Sequence, residues 1–405
     1  DHYLAAFVKV GCFNVSNGQC FHVIHIGRSA LVSGFGREWR FQGRFTSFAF
    51  HRVNKCGFFA TYKSTGSNHY VFDVTLENGK HAICKFAKVR KTELGLTAAN
   101  LDTLFGGRLS LDRESYLLSL AREKGGLPVP EVYGTHDSPL GRFILLEKSP
   151  GISFTEWQET QGYRLEPYLA SLRALGRDFG KLHKNIRFPS FGDIIGPNEI
   201  EPGCDNFADR FMGVTKMRIE RGAKKGAFSK EESSFLMDFF RGRFESLRPH
   251  LSAAATRSVM VFTDMHGRNY FVDENGIPSG YFDLESAQAA PAALEFYGFR
   301  FFLFNFYDQE TFGKAEAAFL EGYQEAGGPC LPKTAEDEAL IQLLSGCRLL
   351  ELAESYWGVV DAIRDTWGQR MKALLFQYID TGSIDYVALG AMWRERDGQP
   401  LHPVI

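Results

Sequence analysis

Val259–Glu285 reads VMVFTDMHGRNYFVDENGIPSGYFDLE, and the rest of the chain is organised around it. Two apolar runs, Asn269–Asp273 and Ser279–Asp283, flank Glu274-Asn275-Gly276. Apolar runs joined through Asn-Gly predict a β-hairpin. Polar residues stand where those runs begin and end: Asp264 just after Val259–Phe262, Asn269 five residues later, and Asp283 at the end of the second strand. This places two carboxylates and an amide at one edge of a small sheet. Oxygen ligands of this kind suit Mg²⁺ bridging phosphates, and a further carboxylate can orient a hydroxyl nucleophile. The bland alternative is an Asp and an Asn that only cap turns.

The segment Phe262-Thr263-Asp264-Met265-His266-Gly267-Arg268-Asn269, followed by a hairpin and Asp283-Leu284-Glu285, resembles the catalytic segment of the aminoglycoside phosphotransferase and choline kinase group. That group, a branch of the protein-kinase-like fold, reads roughly HGDLHxxN, then a hairpin, then DFE or DWE. Asp-to-Asn spacing, the His after the Asp and the hairpin all match; Phe262 and Thr263 stand where the group has His and Gly. The resemblance spans about Phe58 to Glu325. It implies an α+β fold, with a small antiparallel sheet as the N-lobe and a larger, mainly helical C-lobe.

Composition sets the outer limits. The chain has 405 residues, 44% apolar and 23% charged, as an ordinary globular protein does. Its net charge of -2 supplies no basic field that would recruit nucleic acid or an anionic membrane. No run reaches the roughly 18–20 apolar residues of a spanning helix. Seven cysteines with no C-x-x-C pair point to reduced thiols and a cytoplasmic setting. The chain starts at Asp1 rather than Met, as a processed or truncated product would, and no secretory signal is recognisable at its start.

Three regions are expected: 1–55, 56–150 and 151–405. The first is rich in Phe, Gly and basic residues, with strand-like segments at Cys20–Ile26 and Arg44–Phe50. An added sheet, a loose arm and residues ahead of the true gene start all fit it. In the second, Phe58–Tyr62, Tyr70–Leu76 and His81–Ala87 read as strands, the last two joined by an Asn-Gly turn. Between the first two lie Gly66, Ser67 and Asn68, small residues that let backbone N–H groups approach phosphates; an ordinary hairpin loop fits equally. Lys85 sits between apolar neighbours, where an ammonium is costly without a partner. The resemblance makes Lys85 the phosphate-binding lysine and Glu114, near the start of an amphipathic helix reaching about Lys124, its partner; Lys80 and Lys88 are the competitors. It also makes Leu145–Gly151 the linker whose backbone binds adenine at Glu147, although Pro150-Gly151 is a good turn in any fold.

Beyond Gly151, helical periodicity marks Tyr168–Lys184, Phe207–Ile219, Lys230–Leu247, Ala293–Tyr307, Lys314–Glu325, Thr334–Thr366 and Arg370–Ile379. Ser229 and Glu232 form a capping-box pattern, and His183 reads as structural. Along Leu349–Asp365, Leu349, Leu352, Tyr356, Val359 and Ile363 share one helical face while Glu351, Glu354, Asp361 and Asp365 gather opposite, with Trp357 at the border. A water-facing stripe is one reading. The other is an acceptor border favouring a cationic amino alcohol or aminoglycoside-like molecule.

By the resemblance, the protein transfers the γ-phosphate of ATP to a hydroxyl of a small-molecule acceptor. Asp264 orients or deprotonates that hydroxyl, Asn269 and Asp283 hold Mg²⁺, Lys85 braced by Glu114 holds phosphates, and Glu285 faces a second metal or the acceptor. Two rivals stand beside this: a weak or inactive nucleotide-binding relative, and a protein kinase, for which Asp-Phe-Gly and Ala-Pro-Glu are missing.

Overall fold

The computed structural model describes residues 5–15, 19–29, 48–52, 57–65, 69–76, 79–87, 110–137, 142–196, 199–201, 207–358 and 362–397, the first four strands through their backbone alone. These residues form two compact units. Those within 5–87, 110–119 and 130–148 make up the first; those within 120–129 and 149–397 make up the second.

The first unit is an antiparallel sheet of β1 (Ala5–Val15), β2 (Gln19–Ser29), β3 (Phe48–Arg52), β4 (Gly57–Thr65), β5 (His69–Thr75), β6 (His81–Ala87), β7 (Val132–His136) and β8 (Phe143–Glu147). Their spatial order is β1-β2-β3-β4-β5-β6-β8-β7, so strands from the first 55 residues continue the sheet. Side chains alternate across a strand, and on β6 this puts Ala82, Cys84 and Phe86 on one face. They pack with Phe72, Val74 and Phe143, where the Phe86 and Phe143 rings stack at 5.0 Å. Ile83 and Lys85 point to the other face, yet Lys85 is buried as well. The helix α1 (Leu111–Glu123) gives its residues up to Ser119 to this unit.

Residues 120–129 belong to the second unit, although the expected sheet region runs unbroken from 56 to 150. Hydrogen bonding and close packing explain it. Tyr281 N–H donates to the Pro128 carbonyl at 3.0 Å, and Gly125 packs where a Cβ would strike Leu182.

The second unit contains β9 (Ile152–Ser153), β10 (Arg187–Phe188), β11 (Asp193–Gly196), β12 (Glu199–Glu201), β13 (Ser258–Val261), β14 (Tyr270–Val272), β15 (Pro278–Tyr281) and β16 (Gln288–Ala290). Around them lie α2 (Phe154–Thr160), α3 (Leu165–Asn185), α4 (Phe207–Lys224), α5 (Lys230–Ala255), α6 (Ala293–Phe302), α7 (Gln309–Glu325), α8 (Ala335–Tyr356), α9 (Ala362–Thr381) and α10 (Tyr386–Asp397). The expected hairpin is β14–β15, with β9 paired to β14 as a third strand. Asp273 organises its turn by accepting from the N–H groups of Asn275 and Ile277, both at 2.9 Å, and Gly276 takes φ +79°. Such an angle strains any residue with a side chain.

Helices α3 and α7 approach backbone to backbone. A Cβ on Gly176 would overlap the Phe319 carbonyl, and one on Gly322 the Arg173 carbonyl. One expected helix divides. The segment Thr334–Thr366 is not one helix: α8 stops at Tyr356, Gly358 adopts φ +68°, and α9 begins at Ala362. The short α2 and the last helix α10 had no clear periodic signal. Among the described residues no helix is long and apolar enough to cross a membrane.

Candidate active site

The loop after β13 is pinned at each backbone group before its carboxylate. Phe262 N–H donates to Glu295 Oε2 at 2.7 Å, Ser286 Oγ donates to the Phe262 carbonyl at 2.9 Å, and Tyr297 O–H donates to the Thr263 carbonyl at 3.0 Å. Thr263 is thereby held at φ +59°, a conformation costly for a β-branched residue. Asp264 follows, its own N–H turned back onto the Phe262 carbonyl at 2.7 Å. The Phe that stands where the resembled group has His is buried, edge-on to Phe179 at 5.3 Å. Packing of Phe262 and the Glu295 carboxyl group therefore brace this loop.

The far side of the loop returns to the hairpin. Asn269 Nδ2 donates to the Asp264 carbonyl at 2.9 Å, and Phe282 N–H donates to the Asn269 carbonyl at 2.9 Å. These two bonds bring together Asp264, Asn269 and the residue after Phe282, which is Asp283, at φ +59°. With Nδ2 committed as a donor, Oδ1 is the ligand atom Asn269 can offer. Asn269 Oδ1 and the Asp283 carboxylate are hard oxygen donors, the kind that suits Mg²⁺. Glu285, next but one, is buried. Arg268 N–H donates to His266 Nδ1 at 3.2 Å, which assigns the neutral ring's proton to Nε2. Desolvation pushes this imidazole below its ordinary range, against the pull of Asp264 and Asp283.

Behind the loop sits a buried pair. Burial pushes the Glu295 carboxyl up to about 8, despite the N–H bonds it accepts. His183 Nε2 lies 3.9 Å from Glu295, while its Nδ1 meets the Tyr323 hydroxyl at 2.9 Å. Burial pushes this imidazole down to about 3, so the ring is neutral and belongs to the core.

In the first unit, Lys85 Nζ donates to both Glu114 oxygens at 2.8 Å. Their side chains are 9% and 2% exposed, so the ammonium has the partner its setting demands. Of the competitors, Lys80 is exposed and Lys88 lies outside the described residues. Gly66, Ser67 and Asn68 also lie outside them. The Glu147 N–H donates to the Glu131 carbonyl at 2.8 Å, and its carboxylate accepts from Glu131 N–H at 3.1 Å. The Glu147 N–H and carboxylate are thus both engaged with the Glu131 backbone.

The family model for phosphotransferase enzymes matches residues 65–336. The chain belongs to the phosphotransferase enzyme family. No curated protein matches it significantly. Among solved structures it is similar to a macrolide 2′-phosphotransferase type I, at 12% identity and TM-score 0.45 over 78% of this chain and 90% of that one. It is similar to an ethanolamine kinase from Plasmodium vivax, at 14% and 0.45 over 84% and 83%. A third is an aminoglycoside phosphotransferase from Streptomyces rimosus in complex with ADP and streptomycin, at 16% and 0.42 over 73% and 93%. The phosphotransferase has the expected α+β, protein-kinase-like fold, an antiparallel sheet unit followed by a mainly helical one.

Two carboxylates of the acidic face expected along Leu349–Asp365 need correction in this phosphotransferase, Glu351 and Glu354; Asp361 and the Asp365 side chain lie outside the described residues. Glu354 is fully buried and paired with Arg218 at 2.8 Å, Arg221 at 3.4 Å and Lys225 at 2.5 Å. Burial alone would raise its carboxyl, but Lys225, Arg218 and Arg221 together hold it below the ordinary range. Glu351 pairs with Arg348 at 2.6 Å and with Arg218 at 3.3 Å. Neither is a solvated stripe, because the basic residues come from α4 and from α8 itself. Trp357 lies past the end of α8, its ring 5.6 Å from the Lys372 ammonium.

Sequence reading missed Glu295, Tyr297 and Arg348. Arg348 Nη2 lies 3.4 Å from Asp264 Oδ1, and the two are 84 residues apart in the chain. No local pattern carries such a pairing. Glu295 left a faint mark, as the one carboxylate in the apolar run Ala292–Phe299.

Proposed function

We propose that this phosphotransferase moves the γ-phosphate of ATP to a hydroxyl of a small molecule, with Mg²⁺ as its ion. One observation carries the reading: Asp264, Asn269 and Asp283 are brought to one hairpin edge by the Asn269 Nδ2–Asp264 and Phe282–Asn269 hydrogen bonds. Asp264, on a strained and fully pinned loop, is the group that orients the acceptor hydroxyl and takes its proton. Asn269 and Asp283 would hold Mg²⁺, which when bound neutralises phosphate charge. Lys85, oriented by Glu114, would bind phosphate oxygens. Work of this kind is positioning and charge stabilisation, which suits groups fixed before substrate arrives. Phe262 and Glu295 brace the loop that lacks His and Gly, so the weak or inactive alternative loses its main support.

Glu351 and Glu354 give no preference to a cationic amino alcohol or aminoglycoside, because each is paired internally. The acceptor is therefore read only as a hydroxylated small molecule. A cytoplasmic setting is read from seven cysteines with no C-x-x-C pair. The test is an ATP-consumption screen over hydroxylated metabolites and antibiotics, with Asp264→Asn as control. Acceptor-dependent ADP release in the wild type alone is the expected result; equal release by both proteins would remove Asp264 from the reaction.

A further inference from the structure

The Asp264 side chain is 37% exposed at the end of its loop. An exposed carboxylate rotates unless something holds it, and a group that must meet a hydroxyl in one geometry loses rate when it does. Among the described residues, the side chain that reaches this carboxylate is Arg348 of α8, at 3.4 Å. Arg348 is itself only 12% exposed and lies 5.7 Å from the centre of the Phe302 ring. Glu351, one turn on, takes Arg348 Nη1 at 2.6 Å. Arg218 of α4 holds Glu351 at 3.3 Å, and Glu354 holds Arg218 at 2.8 Å. Charges therefore alternate from the loop into the helices: Asp264, Arg348, Glu351, Arg218, Glu354.

We propose that Arg348 is a positioning residue for phosphoryl transfer, fixing the angle at which the Asp264 carboxylate meets the acceptor hydroxyl, and that Glu351, Arg218 and Glu354 serve to fix Arg348. The proposal rests on the phosphotransferase reading of Asp264. Its contact is longer than the about 2.7–2.9 Å of a strong charge-assisted bond, so Arg348 orients the carboxylate without capturing it. A tight two-pronged pair would compete with the acceptor for the same oxygens. The guanidinium is suited to the task because its planar fork reaches Glu351 and Asp264 from different nitrogens. Glu351 and Asp264 oppose the effect of burial, and a guanidinium stays charged at any working pH. A lysine would keep the charge and lose the fork.

The test uses the full chain with Mg-ATP, reading ADP release with water as acceptor and with each compound the screen returns. Arg348→Met should lower kcat about 10–100-fold with the KM for ATP within about threefold. Arg348→Lys should recover only part of the rate, and Glu351→Gln should fall between wild type and Arg348→Met. A purely structural role would instead scale with the folded fraction, which urea unfolding measures on the same samples. Unfolding also supplies a cycle: midpoint shifts for Asp264→Asn and Arg348→Met should be non-additive in the double variant. Additive shifts, a kcat within about twofold of wild type, or a loss confined to the KM for ATP would each overturn the proposal alone. If Arg348→Met does not fold, Arg348→Lys carries the kinetic test, and a wild-type kcat there overturns it. A wild type that releases no ADP with any acceptor overturns the phosphotransferase reading and this proposal with it.

Discussion

Lys85 and Asp264 are both charged residues that stand out in the sequence, and the protein holds them in opposite ways. Lys85 is buried and saturated by one side chain, Glu114. Asp264 is partly open, and what is saturated there is the backbone around it. The difference teaches that one residue is part of the fold's stability and the other stands apart from it. Removing half of a buried ion pair strands a charge, at about 3–5 kcal/mol. Changing the Asp264 carboxylate takes one distant partner from Arg348 and leaves it the closer one, Glu351, so little is stranded.

The sharpest way to break this contrast is Asp264→Asn. It should lower kcat by about 10²–10⁴-fold while the melting temperature and Mg-ATP affinity stay near wild type. A large fall in melting temperature would make Asp264 a structural residue like Lys85. Next in size are Asp283→Ala and Asn269→Ala, which should weaken Mg²⁺-dependent ATP binding by about 10-fold or more, a loss of ~1.4 kcal/mol. Titration of Mg²⁺ against ATP binding checks this, and unchanged metal dependence in both variants refutes it.

Lys85→Ala should cost ATP affinity and stability together, whereas Lys80→Ala should cost neither. Adding Glu114→Leu to Lys85→Met should restore much of the melting temperature and none of the ATP affinity, because the stranded carboxylate is gone. Recovery of both would show that Lys85 does not bind the nucleotide.

The smallest effect concerns Glu295, the brace of the Asp264 loop. Its folded pKa is raised, so the folded protein keeps a proton that the unfolded chain loses above the ordinary carboxylate range. Its contribution to stability is full below that range and is lost as pH rises towards about 8. His183 runs the other way: its depressed folded value gives stability above the ordinary imidazole range that is lost as pH falls towards about 3. Melting curves between pH 6.5 and 8.5 therefore isolate Glu295 (about 6.5 being the ordinary imidazole value). Glu295→Gln keeps an acceptor for the Phe262 N–H, and its melting temperature should fall less over that interval than the wild type's. Parallel curves would mean that Glu295 titrates in its ordinary range.

What was legible in the sequence was local or carried by the family pattern. The Asn-Gly turn, the Asp264–Asn269 spacing and the apolar neighbours of Lys85 each lie within a few residues. The groups that hold them do not. Phe262 meets Glu295 across 33 residues, Asp264 meets Arg348 across 84, and Glu354 meets Arg218 across 136. Periodicity reported correctly that Glu351 and Glu354 lie opposite Leu349 and Leu352. It could not report that α4 covers that face with arginines, which is why a buried ladder looked like a charged border. The break at Gly358 was missed because one glycine inside a periodic stretch weakens a helix without fixing its end.

The glycine-mediated meeting of α3 and α7 also bears on the order in which the molecule is made. His183 and Tyr323, which join there, are 140 residues apart, and the whole catalytic loop is synthesised between them. At about 5–20 residues per second, α3 waits roughly 7–28 s on the ribosome for its partner. Closing so long a loop carries an entropic cost, so this contact is a late one. At Gly176 and Gly180, bare backbone rather than a leucine stays uncovered during that wait. The nascent chain thus carries a finished catalytic sequence for some seconds before it has the helices to hold it, and at these two positions its unfinished surface is among the least adhesive a helix can offer.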